Sequence, residues 1–463
     1  MSYKLKFSRG EAEQLKRIKM MLFALAMMTV LSGCSAVRLT LNPQDLYALP
    51  KLPERYTALN QEISAILEAG AEYAVPAAGS NIQPVQMTDL DGDGREEALA
   101  FFRKVDDEKP LKICIFTAEG TGYRQSALIE GSGAAINSIA YSDLNGDGRL
   151  ELLVGWRVSA ELLALSVYEL QGEEPRELIH TNYVKYTIAD LNADGMRELV
   201  ALHSNQEGVG VADCYGWIEE ELALLDSTSV SMTMAELSRL GRLTVGTLED
   251  ETKALFVTGV ADGSRAITDV LVLNQAGLSN CMLSDATGVT QSITAFRGLY
   301  PMDFNGDGLT EVPYPQVLPD LEDEDSDYYR IDWKTCNLNG TGKTVLSTYH
   351  DMDQNWYLQL PDEWREQITV NRSTSSEEIN VTFYIYNKTG GEQQPFLRIT
   401  TLIGTNRERQ SLRTGRFVLR RENEAIYVAE LLKENDNWQY GVTEDQVRGA
   451  FSLIAKEWTA SDA

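Results

Sequence analysis

The sequence predicts a mainly β protein: a β-propeller of about five four-stranded blades followed by a smaller α+β domain. Three observations lead there. A nine-residue acidic phrase occurs four times, starting at Asp89, Asp143, Asp190 and Asp303. The units around it recur at roughly fifty residues, a period that marks repeat architectures. Past residue 351 the phrase stops and a different pattern begins.

The phrase reads DLDGDGREE, DLNGDGRLE, DLNADGMRE and DFNGDGLTE in chain order. Side-chain oxygens fall at positions 1, 3, 5 and 9 of every copy. They belong to Asp89, Asp91, Asp93 and Glu97, then Asp143, Asn145, Asp147 and Glu151. The third copy offers Asp190, Asn192, Asp194 and Glu198, and the fourth Asp303, Asn305, Asp307 and Glu311. A hard cation such as Ca²⁺ takes about six to eight oxygens, and alternate residues of a tight loop can supply them. Position 7 varies freely as Arg95, Arg149, Met196 and Leu309, as expected where only a backbone carbonyl is needed. Position 6 is always Gly, which adopts a positive φ without steric cost.

These loops are not EF-hands. That motif needs a bidentate Glu at position 12 and helices on both sides. Position 12 here is Ala100, Val154, Ala201 and Tyr314, and the flanks read as strands. The carboxylate at position 9 must close the loop instead.

Taken in order, residues 1–33 are an address. A basic start is followed by an apolar stretch from Met20 to Leu31 and by Leu31-Ser32-Gly33-Cys34. The stretch is too short for a comfortable permanent span. It resembles a bacterial lipoprotein signal peptide with its lipobox. That resemblance implies acylation of Cys34 and a lipid-anchored protein at the extracytoplasmic face of a bacterial membrane. Residues 34–53, with Pro43, Pro50 and Pro53, read as a tether. Residues 54–79 hold a helix and a lead-in: Tyr56, Leu59, Ile63, Ile66 and Leu67 have helical spacing, and Gly70 is a plausible stop.

Residues 80–350 carry the repeat. A short strand enters each acidic loop, as at Ile136 to Ser142 and Val184 to Ala189. Unbroken apolar runs leave it, such as Leu152 to Trp156 and Leu199 to Leu202, which suits strands covered on both faces. The gap between the third and fourth copies is about twice the others. The missing unit lies at Leu243 to Val257, where the strands persist but the ligand ladder does not, so no metal is expected there. Glu322 to Asp327 reads as a solvated acidic loop. Residues 351–463 predict a separate α+β domain with strands at Ile379–Tyr386, Phe396–Ile403, Arg416–Arg420 and Ile426–Leu431. A closing helix, capped by Thr443, runs through Trp458.

Composition excludes some functions. The formal net charge is −28, which disfavours a phosphate-backbone partner, so no nucleic acid is expected. The three His, His180, His203 and His350, form no paired or HExxH arrangement and read as surface or packing residues. Gly340-Thr341-Gly342-Lys343-Thr344 mimics the end of a phosphate loop, but Asn337 stands where its first Gly should be, so a hairpin turn is expected. Cys114, Cys214, Cys281 and Cys336 show no metal spacing and read as buried free thiols.

The D-x-[DN]-x-D-G-x-x-E pattern between strands resembles the FG-GAP/VCBS repeats, the family that includes the integrin α-subunit propeller. The resemblance covers roughly residues 80–350. It implies Ca²⁺, up to four ions, in the loop joining the first two strands of a blade, held by positions 1, 3, 5 and 9 and the position-7 carbonyl. It also implies that calcium stiffens the blades while ligands bind on another face. The expectation is a non-catalytic surface binding or adhesion module for a protein or glycan. The alternative is a cell-surface hydrolase or lyase acting on polysaccharide or phosphoester, with the propeller as scaffold.

Overall fold

The computed structural model describes residues 56–120, 122–170, 174–284, 287, 289–319, 328–340, 342–387 and 393–455. The leader, Cys34, the whole tether and the acidic run at 322–327 lie outside them. Among the described residues no helix is long and apolar enough to cross a membrane.

The first described element is a helix, Thr57–Glu68, which buries Leu59 and Ile63 on one face and ends before Gly70 at φ 93°. It then builds antiparallel sheets one after another. The first sheet holds Val85–Thr88, Glu97–Arg103, Leu111–Glu119 and Gly122–Gly131, with Glu72–Tyr73 of the lead-in added beside Glu97–Arg103. The second holds Ala135–Ser142, Glu151–Arg157, Leu163–Glu169 and Arg176–Tyr183. The third holds Lys185–Ala189, Glu198–Ser204, Gly210–Ile218 and Glu221–Ser229. A short helix, Met234–Leu240, precedes the fourth sheet, which contains the unit without the acidic phrase: Arg242–Thr247, Lys253–Ala261, Arg265–Asn274, Gly277–Asn280 and Ile293–Ala295. The fifth holds Val312–Val317, Tyr329–Lys334, Thr344–Asp351 and Trp356–Leu360.

Period-two alternation stacks each sheet on the next. On the strand Glu151–Arg157, Leu152, Val154 and Trp156 pack with Leu99, Phe101 and Ile113 of the first sheet. Leu153 points the other way and packs with Leu199 and Leu222 of the third. Val200 and Leu202 then meet Leu255 and Val257 of the fourth sheet, while Phe256 meets Val312 and Cys336 near and in the fifth. An apolar run is therefore required on every second strand, because both of its faces are covered. The fourth strand of the third sheet, Glu221–Ser229, buries only Leu222.

A sixth sheet, in the order Ile368–Thr374, Glu378–Ile385, Gln394–Leu402, Ile426–Leu431 and Arg416–Arg421, packs against the fifth. Tyr349, Trp356 and Leu358 join Val370, Phe383 and Phe396 in one cluster. The strand Trp356–Leu360 belongs to the fifth sheet, so a boundary at residue 351 falls inside a hairpin. The closing helix is shorter than the sequence predicts. It spans Glu444–Ala450, and Phe451–Leu453 is a strand paired with Trp356–Leu360. Two causes combine. Gly449 weakens the last turn, and the open edge of Trp356–Leu360 offers backbone partners while Phe451 packs its ring 5.6 Å from that of Trp356. Cys114, Cys214, Cys281 and Cys336 are free thiols, with Cys281 partly exposed and the others buried.

Candidate metal loops

Each of the first three acidic phrases is the turn of a hairpin between the first and second strands of its unit, and the fourth precedes Val312–Val317 and is closed by a single β-bridge. The residue before position 1 pairs with position 9 in all four copies: Thr88 with Glu97, Ser142 with Glu151, Ala189 with Glu198, and Met302 with Glu311. The same backbone folding recurs within each. In the first, Asp89 accepts from the N–H of Gly92 at 2.8 Å and of Gly94 at 2.9 Å. Asp91 accepts from Asp93 N at 3.1 Å, and Asp93 from Arg95 N at 2.7 Å. Glu97 accepts from Leu90 N at 3.0 Å. Asp143, Asn145, Asp147 and Glu151 repeat this set with Gly146, Gly148, Arg149 and Leu144. So do Asp303, Asn305, Asp307 and Glu311 in the fourth loop. In the third, Asp190, Asn192, Asp194 and Glu198 keep the bonds to Gly195, Asp194 N, Met196 and Leu191.

Two positions need a positive φ. Position 6 is Gly94, Gly148, Gly195 and Gly308, at φ 84–91°. Position 4 is Gly92, Gly146 and Gly306 at φ 75–77°, but Ala193 at φ 61° in the third loop. Position 2 is a plug that the ligand spacing does not reveal. Leu90, Leu144 and Leu191 are buried there. The signal was present: position 2 is apolar in every copy. Its carbonyl also stitches loops together, since Leu150 N donates to Leu90 O at 2.9 Å and Arg197 N to Leu144 O at 3.2 Å.

The position-9 carboxylates are almost wholly buried, and Glu311 is 0% exposed. Burial pushes their pKa up, and the Asp charges of the same loop add to it. Glu151 and Glu311 both rise to about 7, and Glu97 and Glu198 move in the same direction. Two ligand-type oxygens, Glu311 Oε1 and Asp190 Oδ1, are inaccessible and have no hydrogen-bond donor. Buried oxygens held together without a donor or positive charge are costly. The donor set, all hard oxygen, fits a calcium-type ion.

The loops differ in detail. Asp89, Asp91 and Glu97 bring carboxylate oxygens within 4.8 Å of one another. In the third loop the amide of Asn192 donates to Asp194 at 3.0 Å and to Glu198 at 2.9 Å. In the fourth, the Asn305 amide donates to Asp307 at 2.9 Å. The phraseless unit has a shorter turn, with Thr247 paired directly to Lys253. A lysine thus stands where the closing carboxylate stands elsewhere, and it donates to Thr247 Oγ1 at 3.0 Å.

The three histidines lie apart, on the second, third and fifth sheets. His180 contacts Ser166 and Glu177, and His203 lies 2.7 Å from Asp213 on an adjoining strand. His350 pairs with Thr348 and stacks on Tyr357. Asn337 to Gly340 turn the chain between Tyr329–Lys334 and Thr344–Asp351, which pair with each other, and no helix follows.

Residues 89–154 match the FG-GAP-like repeat, a match that spans the first two acidic loops and supports that repeat family. No curated protein sequence is significantly similar to this one. Among solved structures, the chain is similar to rhamnogalacturonan lyase YesW, with 12% identity, a TM-score of 0.30, and 67% of this chain and 68% of that one covered. It is similar to the exotype rhamnogalacturonan lyase YesX, with 10% identity, a TM-score of 0.30, and coverage of 71% and 83%. A third is Bacillus licheniformis rhamnogalacturonan lyase PL11, with 12% identity, a TM-score of 0.28, and coverage of 70% and 72%.

Proposed function

We propose that this protein is a lipid-anchored, calcium-binding surface module whose first five sheets form a β-propeller, and that it binds a protein or glycan without chemistry of its own. The observation that carries the reading is the in-register recurrence of four carboxylate-lined hairpin turns. Each has a buried Glu at position 9 tied to the position-2 backbone. A lone turn of this kind is read equally well as an Asx-turn with decorative charge or as a metal loop. Four copies, two with orphaned buried oxygens, ask for a cation.

Asp89, Asp91, Asp93, Glu97 and the Arg95 carbonyl would hold the first ion. The corresponding residues of the second, third and fourth copies would hold the others. Calcium supplies positive charge that offsets the desolvated carboxylates and fixes the turn between two strands. Acylation at Cys34 would hold the module at the extracytoplasmic face of the membrane, and the strongly acidic chain would stay clear of anionic lipid.

Calorimetric titration of the metal-stripped protein with calcium tests the reading. Up to four equivalents are expected, with a rise in thermal stability of about 2.7 kcal/mol per site when free metal is a hundred times Kd. Absence of stoichiometric uptake, with a melting temperature indifferent to chelator, overturns it. Labelled palmitate incorporated by the wild type but not by Cys34→Ser tests the anchor.

A further inference from the structure

The four acidic loops share one backbone course, but they do not share one charge. The first phrase, Asp89 to Glu97, carries five carboxylates and one Arg. The second and third carry three carboxylates and one Arg each, and the fourth three carboxylates and no basic residue. Among the oxygen-bearing positions the difference falls at position 3. It is Asp91 in the first loop and Asn145, Asn192 and Asn305 in the others. The calcium affinity of an oxygen-ligand loop follows the number of ligand charges and the rigidity of the turn. Both quantities vary here.

The turn accepts either residue at position 3. Asp91 Oδ1 accepts from Asp93 N at 3.1 Å, and the side-chain oxygens of Asn145, Asn192 and Asn305 accept from the corresponding N–H at 2.9, 2.8 and 2.9 Å. With the oxygen held by the backbone, an amide nitrogen is left to face the neighbouring acids. In the third loop Asn192 Nδ2 donates to Asp194 Oδ2 at 3.0 Å and to Glu198 Oε1 at 2.9 Å. In the fourth, Asn305 Nδ2 donates to Asp307 Oδ2 at 2.9 Å. Asp91 has no N–H to give. It brings a carboxylate oxygen within 4.8 Å of those of Asp89 and Glu97. A cation entering the first loop therefore meets three converging carboxylates, and one entering the third must displace an amide from two. Rigidity points the same way. Gly92, Gly146 and Gly306 donate from position 4 to the position-1 carboxylate at 2.7–2.8 Å. In the third loop Ala193 stands there at φ 61°, and the Asp190 Oδ1 that would accept has no donor. The fourth loop keeps its Gly and holds Glu311 Oε1 buried without a donor, which sets it above the third.

We propose that the loops are graded in calcium affinity and that position 3 sets the grade: the first loop is the tight site, the third is the weakest, and the second and fourth lie between. The chain then holds an ion in its first turn at calcium levels that leave the third turn empty. The hairpin that opens the third sheet is fixed only as calcium rises. This inference rests on the calcium-binding reading and gives that reading a graded response.

The test is calorimetric titration of the metal-stripped full chain with calcium chloride, paired with melting temperatures at a series of buffered free calcium levels. The wild type should show a tight and a weak class of site whose Kd values differ by about tenfold or more, as a change of one ligand charge and one competing amide requires. Asp91→Asn keeps the turn bond that Asn145 makes in the second loop, and it should weaken the tightest class by about tenfold with total uptake unchanged. Asn192→Asp runs the exchange in the other direction and should strengthen the weakest class by a similar factor. It also covers the case in which Asp91→Asn does not fold. Stoichiometric uptake at indistinguishable affinities overturns the grading and leaves the calcium reading standing. So does a tightest class untouched by Asp91→Asn together with a weakest class untouched by Asn192→Asp. Absence of stoichiometric uptake overturns both.

Discussion

At the residue scale, the third loop carries a conflict that its neighbours avoid. Position 4 requires a left-handed backbone, and Ala193 adopts φ 61° where the other copies use Gly. A Cβ in that region costs about 1–2 kcal/mol, against up to about 1 kcal/mol of unfolded-state entropy for the extra Gly. Ala193→Gly is therefore expected to leave stability unchanged or raise it by up to about 1 kcal/mol. It should also tighten calcium binding at the third loop. Denaturant melts with and without chelator check this, and a clear loss of stability would show that the turn is not strained. The oxygen-bearing side chains at positions 1, 3, 5 and 9, which the structure gathers into one turn, were legible in the sequence because the acidic phrase repeats them at fixed spacing. The φ demand at position 4 was half-hidden by that one Ala, and the apolar residue at position 2, present in every copy, was passed over because the ligand spacing skips it.

At the element scale, what was legible followed burial. Second strands such as Glu151–Arg157 are covered on both faces and read as continuous apolar runs. The phraseless unit was found by its strands alone, and they pair as expected from Arg242–Thr247 to Lys253–Ala261. Short elements set by tertiary contact were not legible. The helix Met234–Leu240 has only seven residues, too few for a periodic signal, yet Thr233 and Glu236 make a complete capping box. Thr233→Ala should cost about 1 kcal/mol, read as a lower urea midpoint with an unchanged m-value. The strand Phe451–Leu453 was misread as helix because its reason for being extended is an edge strand nearly a hundred residues earlier.

The fifth sheet also carries a pH-sensitive element. His350 stacks on Tyr357 and packs near Trp333 and Phe304. Burial lowers its pKa from the ordinary 6.5 to about 3. The unfolded chain then binds a proton that the folded one refuses as pH falls below 6.5, so stability is present above that value and is lost on the way down toward 3. The linkage slope is at most about 1.4 kcal/mol per pH unit for this one group. His350→Gln, which cannot titrate, should flatten the stability profile between pH 6 and 4 by up to that slope. Chemical denaturation at a series of pH values reads it out, and parallel profiles for variant and wild type would remove His350 from the account.

At the scale of the whole molecule, serial stacking couples turns that are far apart in sequence. The first three acidic loops are joined through backbone bonds from Leu150 to Leu90 and from Arg197 to Leu144. A Cβ on Gly92 would meet Gly148 O at 2.7 Å, so the first two turns are in close contact. The fourth loop is joined instead to the phraseless unit, through Thr310 N to Thr247 O at 2.9 Å. An ion that fixed one turn would therefore restrain its bonded neighbours, and the turn beside the fourth lacks the acidic phrase that would hold one. Asp147→Ala is expected to remove one equivalent of calcium at the second loop. It should also weaken the first and third by severalfold, within the range of about 1–3 kcal/mol typical of site-to-site coupling. The fourth site should keep its affinity, because its contact runs to a unit that has Lys253 in place of the closing Glu. Calorimetric titration of wild type, Asp147→Ala and Asp307→Ala separates these outcomes. Loss of one equivalent with three unaltered affinities would mean that the loops load independently and that the backbone bonds between them carry no coupling.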